Sequence, residues 1–269
     1  MIFTGRLIRP VLLMKGEVKM TNIILNGCNG KMGAAVTKAV SEREDCSIIA
    51  GVDLYGDNVN YKVYRSFSDL DVSADVIIDF SNPSVLDDLL TYAKSNKTPI
   101  ILCTTGFSEA QVEKIKEASK DLAIFYSGNM SLGINLIIEL SKKAAAVFSN
   151  NFDVEIIEKH HNQKIDAPSG TALMIADAIA DVLPDSQYVY DRHSYRQKRA
   201  KNEIGIHAVR GGTIVGEHEV IFAGHDEILS LKHQALSKEV FAVGAVNAAV
   251  YLKSKDNGMY DMGDLLSET

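Results

Sequence analysis

The sequence has few cysteines, no excess of positive charge and no long hydrophobic run. Its three cysteines, Cys28, Cys46 and Cys103, are far apart and form no C-x-x-C pair, which argues against a cysteine-built metal site and fits a reducing cytoplasm. The formal net charge is −7, whereas nucleic acid and anionic membranes bind basic surfaces. No apolar stretch reaches the roughly 18 residues that a membrane helix needs. We therefore expect a soluble cytoplasmic protein whose main partner is a small ligand, not nucleic acid or a membrane.

The first nineteen residues differ from the rest of the chain in charge. They contain four basic residues and one acidic residue. Their apolar stretch from Val11 to Met14 is too short for a signal peptide, and no small-residue cleavage site follows it. We expect residues 1–19 to be a non-native or disordered extension, with translation starting at Met20. The intact mass of the protein made from its native gene tests this expectation.

Short apolar runs and helical patterns alternate from Asn22 to about residue 130. The segments NIILNG, SIIAGVD, ADVIIDF, TPIILCTTGF and LAIFYSGN have the composition of buried strands, and amphipathic helical patterns lie between them. This alternation predicts a parallel sheet covered by helices on both faces. The fold class is therefore α/β, with a doubly wound, Rossmann-like domain.

The pattern changes after Ser131. A long helix, Leu132–Phe148, leads to the strand FDVEIIEKHH, and a helix is predicted from Ala172 to Val182. Three strands follow, IGIHAVR, TIVGEHEVIFA and EILSLKHQA, joined by Gly211-Gly212 and by Gly224-His225. Short glycine connections are typical of hairpins, so we expect an antiparallel or mixed sheet.

The last predicted helix, Lys238–Leu252, has the apolar face of a packed helix and can return to the first domain. We therefore divide the chain into two domains. Residues 20–130 and 239–269 are expected to form a dinucleotide-binding domain. Residues 131–238 are expected to form an α+β domain with a mixed sheet, which binds substrate and mediates oligomerisation.

A glycine-rich turn, NGCNGKMG, follows the first strand and opens the first helix. Gly27, Gly30 and Gly33 permit close backbone approach, and a helix N-terminus attracts a pyrophosphate. The spacing alone is equally typical of a tight strand-helix turn. Asp53 ends the second strand, where a carboxylate can accept hydrogen bonds from an adenosine ribose; the alternative is a solvated aspartate. Because no arginine follows Asp53, the pattern favours NADH over NADPH.

Two further loops, CTTGF and SGNM, follow strands whose carboxyl ends lie where open sheets bind ligands. Their small and hydroxylic residues can line a nicotinamide, although such loops can also be simple connections. The predicted cofactor-binding residues are Gly27, Cys28, Asn29, Gly30, Lys31, Met32, Asp53, Cys103, Thr104, Thr105, Ser127, Gly128, Asn129 and Met130.

The segment EKHHNQKIDAPSGTAL, residues 158–173, groups two histidines, a lysine and a helix start. His160 and His161 follow a strand, so they are expected to point to opposite sides and not to share a metal ion. Ser169, Gly170 and Thr171 open a helix, where they form either a simple N-cap or an anion cradle.

This segment resembles the signature E-x-H-H-x-x-K-x-D-A-P-S-G-T-A of the 4-hydroxy-tetrahydrodipicolinate reductase family, formerly called dihydrodipicolinate reductases. The resemblance covers nearly the whole chain from Met20. GCNGKMG is similar to the family's GxxGxMG, DFSNP to its DFTxP, TTGF and GNMSLGIN to its nicotinamide-side loops, and GMYDMGDLL to its C-terminal ending. The chain departs from the family in its last helix, where Lys238 and Asn247 stand at positions that often hold arginine.

The resemblance implies that NADH or NADPH reduces a small ring dicarboxylate to tetrahydrodipicolinate, with loss of water, in diaminopimelate and lysine biosynthesis. It implies that His160 protonates the ring carbon beside the one that receives hydride, and that Lys164 assists by its charge. His161, Ser169, Gly170 and Thr171 would bind the substrate carboxylates. It also implies a homotetramer joined through the sheets of the second domain. From the residues themselves we expect no metal site.

Two other functions use part of these residues. A non-catalytic nicotinamide-binding regulator needs the glycine turn but not the His-His-Lys segment. A metal-dependent hydrolase can use His160, His161 and Asp166 but leaves the dinucleotide domain without a role. The remaining histidines, His193, His207, His218, His225 and His233, are expected to be surface or sheet residues.

Overall fold

The computed structural model of the chain describes residues 20–56, 59–194 and 196–268. The expectation for residues 1–19 therefore lies outside the described residues. No helix in this part of the chain has both the length and the apolarity to cross a membrane. In chain order, the helices and strands described are β1 (Thr21–Asn26), α1 (Lys31–Ser41), β2 (Cys46–Val52), β3 (Val63–Tyr64), β4 (Val76–Asp79), α2 (Leu86–Asn96), β5 (Ile100–Leu102), α3 (Glu109–Ala118), β6 (Ala123–Tyr126), α4 (Leu132–Phe148), β7 (Asp153–His160), α5 (Gly170–Ala180), β8 (Gln187–Val189), β9 (Glu203–Arg210), β10 (Gly216–Ala223), β11 (Ile228–Ala235), α6 (Glu239–Leu252), β12 (Gly258–Tyr260) and α7 (Met262–Ser267).

The first sheet has seven strands in the order β12-β6-β5-β4-β1-β2-β3, and every pair in it is parallel. Helices cover both faces. Successive side chains of a strand point to opposite faces. Ile23 and Leu25 of β1 accordingly pack into a core with α1 and α6, while Ile24 packs into a second core with α2 and α3. Both faces need apolar residues, which explains the continuous apolar runs and confirms the doubly wound fold.

The second sheet is mixed, as predicted, with the order β11-β10-β7-β9-β8. The hairpin expected at Gly211-Gly212 is wrong: β7 lies between β9 and β10, pairing in parallel with β9 and antiparallel with β10. The hairpin expected at Gly224-His225 is confirmed by the antiparallel β10–β11 pair. Turn residues indicate that the chain reverses direction, but they do not indicate which strands become neighbours. Strand β7, which carries the buried Val154 and Ile156, occupies the centre of the sheet and separates β9 from β10.

The C-terminal segment returns to the first sheet. Strand β12 pairs with β6, and α6 packs so closely that a Cβ added to Gly244 would lie 1.7 Å from the Met130 carbonyl oxygen. Only glycine permits this approach. Helix α6 thereby packs directly against the loop after β6, which borders the candidate site.

Candidate active site

Two cavities lie at the carboxyl edge of the first sheet, where open α/β sheets bind ligands. One, of about 600 Å³, borders the glycine turn, and the other, of about 430 Å³, borders the loops after β5 and β6. Phe80 and Ser81 line both. The predicted cofactor residues that line the first are Gly27, Asn29, Gly30 and Asp53, and those that line the second are Met32, Cys103, Thr104, Thr105, Ser127, Gly128, Asn129 and Met130.

Two predicted cofactor residues lie outside these walls. The Cys28 side chain is buried in the core beneath the turn, and Lys31 is exposed at the first position of α1. The cavities also have walls that the sequence prediction missed, among them Phe80 and Arg65. The two positions that often hold arginine in the family have different surroundings here. Lys238 lines the smaller cavity, whereas Asn247 accepts a hydrogen bond from Arg43 Nη1 at 2.5 Å.

The glycine turn has the geometry that a pyrophosphate needs. Gly27 has a φ of +79°, and a Cβ there would lie 2.4 Å from the Phe80 carbonyl oxygen. The first turn of α1 contains no acidic residue, and its N–H groups have no partner within the helix. Within the described residues, the buried Asn29 Oδ1 also has no hydrogen-bond partner. The turn therefore fits a bound dinucleotide.

Asp53, the predicted ribose ligand, lines the same cavity as the glycine turn. Its carboxylate accepts hydrogen bonds from Asn29 N at 2.9 Å and from Tyr55 N at 3.2 Å, which fixes its orientation. Arg65 lies in the same cavity and donates to the carbonyl oxygens of Asp53, at 3.3 Å, and Gly56, at 3.2 Å. The cation Arg65 thus lies beside Asp53, although the residues directly after Asp53 in sequence, Leu54 and Tyr55, are uncharged.

A buried carboxylate, Asp79, connects the loops around Ser81. It accepts hydrogen bonds from Asn26 Nδ2 at 2.7 Å and from Ser81 Oγ at 2.5 Å. Ser81 N in turn donates to Thr104 Oγ1 at 2.9 Å. Burial raises the pKa of Asp79, against the effect of these hydrogen bonds. The network holds the ends of β1, β4 and β5 together at the shared wall of the cavities.

In the second sheet, strand register collects polar side chains at one end of the inner face. His160 on β7 is opposite Arg210 on β9, and Glu158 is opposite His218 on β10. Glu158 continues the inward-facing set of β7, in which Val154 and Ile156 are buried. His218 belongs to the buried set of β10 with Val220 and Phe222. Three strands thereby contribute to one cluster.

Glu158 is the centre of this cluster and is fully buried. Its Oε1 accepts from Arg210 Nη2 at 2.7 Å and from Ser169 N at 2.9 Å. Its Oε2 accepts from Arg210 Nη1 at 2.7 Å and lies 2.6 Å from His160 Nδ1. Burial alone would raise the pKa of Glu158, but the hydrogen bonds from Arg210, His160 and Ser169 more than offset it and hold that pKa below its ordinary value.

The two inner histidines are in edge-to-face contact, with ring centroids 5.2 Å apart. Burial lowers the pKa of His160; Glu158 opposes this shift, while the charges of Lys164 and Arg210 add to it. Burial lowers the pKa of His218 to about 4. His218 was expected to be only a surface or sheet residue. It is on β10, but its position with the buried Val220 and Phe222 on the inward face was the signal of a polar site.

The start of α5 is both a capped helix end and a candidate anion site. Ser169 accepts from Ala172 N at 3.2 Å and lies 3.1 Å from His218 Nε2. The first turn of α5 has no acidic residue, and a Cβ added to Gly170 would meet nothing within 4 Å. The backbone there is open to a carboxylate.

The remaining predicted substrate residues surround this helix start. Lys164 Nζ lies 2.9 Å from Asp166 Oδ1, and its hydrogen bond lowers the pKa of Asp166. His161 is half-buried, and its carbonyl oxygen accepts from Lys164 N at 3.1 Å. Thr171 Oγ1 accepts from Asn129 Nδ2 at 2.9 Å. This last bond joins the helix start to the loop that lines the smaller cavity.

No three His, Cys, Asp or Glu side chains converge as metal ligands within residues 20–56, 59–194 and 196–268. His160 Nδ1 faces Glu158 instead. The grouping of His160, His161 and Asp166 is therefore not a metal cluster in the described part of the chain.

Comparison with known proteins identifies the family. The family model described as dihydrodipicolinate reductase, N-terminus, matches residues 21–130, and the C-terminus model matches residues 133–266. A 4-hydroxy-tetrahydrodipicolinate reductase of Clostridium novyi (strain NT) is 52% identical over 92% of this chain and 98% of its own. One from Caldanaerobacter subterraneus subsp. tengcongensis is 50% identical over 93% and 99%. The dipicolinate-bound dihydrodipicolinate reductase from Paenisporosarcina sp. TG-14 has a TM-score of 0.75 at 25% identity, over 90% of this chain and 97% of that one. The chain belongs to the dihydrodipicolinate reductase family.

Proposed function

We propose that the chain reduces 4-hydroxy-tetrahydrodipicolinate to tetrahydrodipicolinate, with loss of water, using NADH or NADPH. Residues 20–130 and 239–269 bind the dinucleotide, and residues 131–238 bind the substrate. The observation that carries the proposal is the Asn129–Thr171 hydrogen bond, 2.9 Å long. This bond joins Asn129, in the loop expected to line the nicotinamide, to Thr171 at the start of α5, where we propose that the substrate carboxylates bind. Strand β7, which ends at His160, precedes this helix in the chain.

Different residues are proposed to transfer the proton and to bind the substrate. A bound reduced nicotinamide supplies the hydride. His160 delivers a proton to the neighbouring ring carbon, since an imidazole exchanges protons near neutral pH. Lys164 and the N–H groups of Gly170 and Thr171 hold the substrate carboxylates by charge and hydrogen bonds, together with His161 and Ser169. The buried Ser169 hydroxyl caps α5 and orients these N–H groups.

The function is tested by mixing the purified protein with NADH, or NADPH, and freshly generated substrate. Loss of the reduced-nicotinamide absorbance, dependent on both protein and substrate, is expected. A regulator would bind the nucleotide without turnover. A metal-dependent enzyme would lose its activity on treatment with a chelator, whereas the proposed reductase keeps it.

Asp53 is proposed to bind the adenosine ribose of NADH. Asp53→Ala should raise the KM for NADH by roughly 10–100-fold, the value of a hydrogen bond to a charged group, and leave kcat at saturation nearly unchanged. The ribose contact is the same in ground and transition states, so its loss affects binding alone. Steady-state kinetics at varied NADH measure both constants.

We propose that NADH is preferred because Asp53 repels a 2′-phosphate, and that Arg65 beside it permits some use of NADPH. Arg65→Gln should therefore lower kcat/KM for NADPH more than for NADH. Equal losses with the two coenzymes would contradict this role. A fall in kcat alone for Asp53→Ala would remove Asp53 from the ribose site.

We propose a homotetramer formed through the second sheet. Helices α4 and α5 pack on one face of this sheet, while the opposite face carries an ion-pair ladder across three strands, with Glu217 bound by Lys159 and, at 3.0 Å, by Lys232. Half-buried Ile157 and Ile221 lie on the same face. Light scattering at working concentration should give four times the chain mass; a monomer would contradict the proposal.

A further inference from the structure

The strongest unassigned feature is the buried carboxylate of Glu158. A buried ionised carboxylate is costly unless its oxygens are hydrogen-bonded. Two contacts reach each oxygen of Glu158, from Arg210, Ser169 N and His160, all between 2.6 and 2.9 Å. Such saturation keeps the group ionised and leaves no freedom to rotate.

We propose that Glu158 is a positioning residue for the reaction: clamped by Arg210, its carboxylate fixes the His160 ring, holds the proton on Nδ1 and leaves Nε2 to exchange protons with the substrate. An ionised carboxylate only accepts hydrogen bonds, so Nδ1 must donate across the 2.6 Å contact. The proton that a neutral imidazole carries is then on Nδ1. Nε2 is the basic atom, and Glu158 stabilises the imidazolium formed when it gains a proton.

The same carboxylate also sets the distance between His160 and the anion-binding helix start. Ser169 N donates to Glu158, and Arg210 Nη2 donates to the Asp166 carbonyl oxygen at 2.6 Å. Strand β7, strand β9 and the turn before α5 are thereby joined through one group. Substrate carboxylates held at α5 and the proton held at His160 share a rigid reference, which is how a positioning group contributes to rate.

The Nε2 edge of the His160 ring faces a position of β10 that has no side chain. A Cβ added to Gly216 would lie 3.2 Å from His160 Nε2, a distance at which one atom must shift. Strand β10 thus passes beside Nε2 without a side chain of its own. The charged or titratable groups around the His160 ring are Glu158 on β7, Lys164 in the following loop, Arg210 on β9 and His218 on β10.

The test is Glu158→Gln, compared with Glu155→Gln. Glu155 is on the opposite face of β7, where it also contacts a histidine, His207, at 2.8 Å and an arginine, Arg199, at 3.0 Å. Glu158→Gln should lower kcat by roughly 10–100-fold, the loss typical when the carboxylate that orients a metal-bound histidine is removed, with the KM for NADH unchanged. Glu155→Gln should leave kcat unchanged.

The pH profile separates positioning from simple support of the fold. His160 must carry a proton to protonate the ring carbon, so kcat falls as pH rises through its pKa. Glu158 raises that pKa by its hydrogen bond and charge; without it, the falling limb should move to lower pH. Glu158→Asp keeps the charge. The falling limb of its kcat–pH profile should therefore lie at nearly the same pH as in the wild type, even if kcat itself drops. If the falling limb of the Glu158→Gln profile lay at the same pH as in the wild type, the proposal would be overturned.

Nitrogen NMR of the wild-type imidazoles gives a second, activity-independent measurement. Above the pKa of His160, its Nδ1 should be protonated and its Nε2 bare; the opposite tautomer would overturn the proposal even if Glu158→Gln does not fold. The measurements of kcat and of its pH dependence rest on the proposed function, whereas the tautomer of His160 does not. Absence of turnover with the expected tautomer would refute the proposed function alone.

Discussion

His160→Ala is expected to lower kcat for NADH oxidation by roughly 10²–10⁴-fold, the usual contribution of a positioned acid/base. The reason is that, in the proposed reaction, a proton must reach the ring carbon beside the one that receives hydride. We propose that His160, whose Nδ1 lies 2.6 Å from Glu158 Oε2, delivers this proton. Affinity for NADH should change little, because the glycine turn that we propose as its binding site follows β1 in the first sheet, whereas His160 is on β7 of the second sheet. Steady-state kinetics and NADH binding by fluorescence measure the two quantities.

His225→Ala is the matched control, because the His225 side chain is 98% exposed in the β10–β11 connection. It should keep wild-type kcat. If His160→Ala retained kcat as well, His160 would have no part in proton transfer.

Lys164→Met is expected to lower kcat/KM by roughly 10²–10³-fold, as loss of one charged group aimed at developing negative charge does. The substitution keeps the length of the side chain and removes its ammonium. Lys164 is 22% exposed and pairs with Asp166 at 2.9 Å, so it is held at the turn that leads to α5. We expect substrate KM to rise and kcat to fall, because in the proposed reaction the Lys164 charge attracts both the bound dicarboxylate and the electron-rich ring.

Ionic strength provides an independent check on Lys164. Salt should weaken substrate binding more in the wild type than in Lys164→Met, since part of the attraction is Coulombic. Lys114→Met is the control, because Lys114 forms a similar 2.8 Å pair with Asp87 on the outer helices. Constants that do not change with Lys164→Met at either ionic strength would make Lys164 an ordinary loop residue.

Much of the fold was predictable because its signals are local. The doubly wound sheet follows from apolar runs such as NIILNG alternating with helices, and α4 begins and ends as predicted, at Leu132 and Phe148. Boundaries of other helices moved by one or two residues: α5 begins at the capped Gly170, not at Ala172. Side-chain caps decide such ends, and apolar periodicity does not report them.

The predicted site residues were found through contiguous segments. The NGCNGKMG turn and the EKHHNQKIDAPSGTAL segment each keep their chemistry within a few residues, so their composition could be recognised without coordinates. What such segments lack is any record of partners from other strands. Arg65 stands beside Asp53 in space but twelve positions away in sequence, and the coenzyme argument from sequence missed it.

Local sequence was enough to predict the alternation of strands and helices, the glycine turn, a helix opened by the segment 169–171 and the grouping of His160 with Lys164. These features depend on backbone conformation and burial period, which neighbouring residues set. The position of β7 between β9 and β10, which brings Arg210 and His218 to Glu158 and His160, is set by the assembled sheet and not by any local pattern. Strand order depends on which arrangement buries the most apolar surface over the whole sheet. No local pattern contains that comparison, so the residues that surround His160 become visible only once the sheet is assembled.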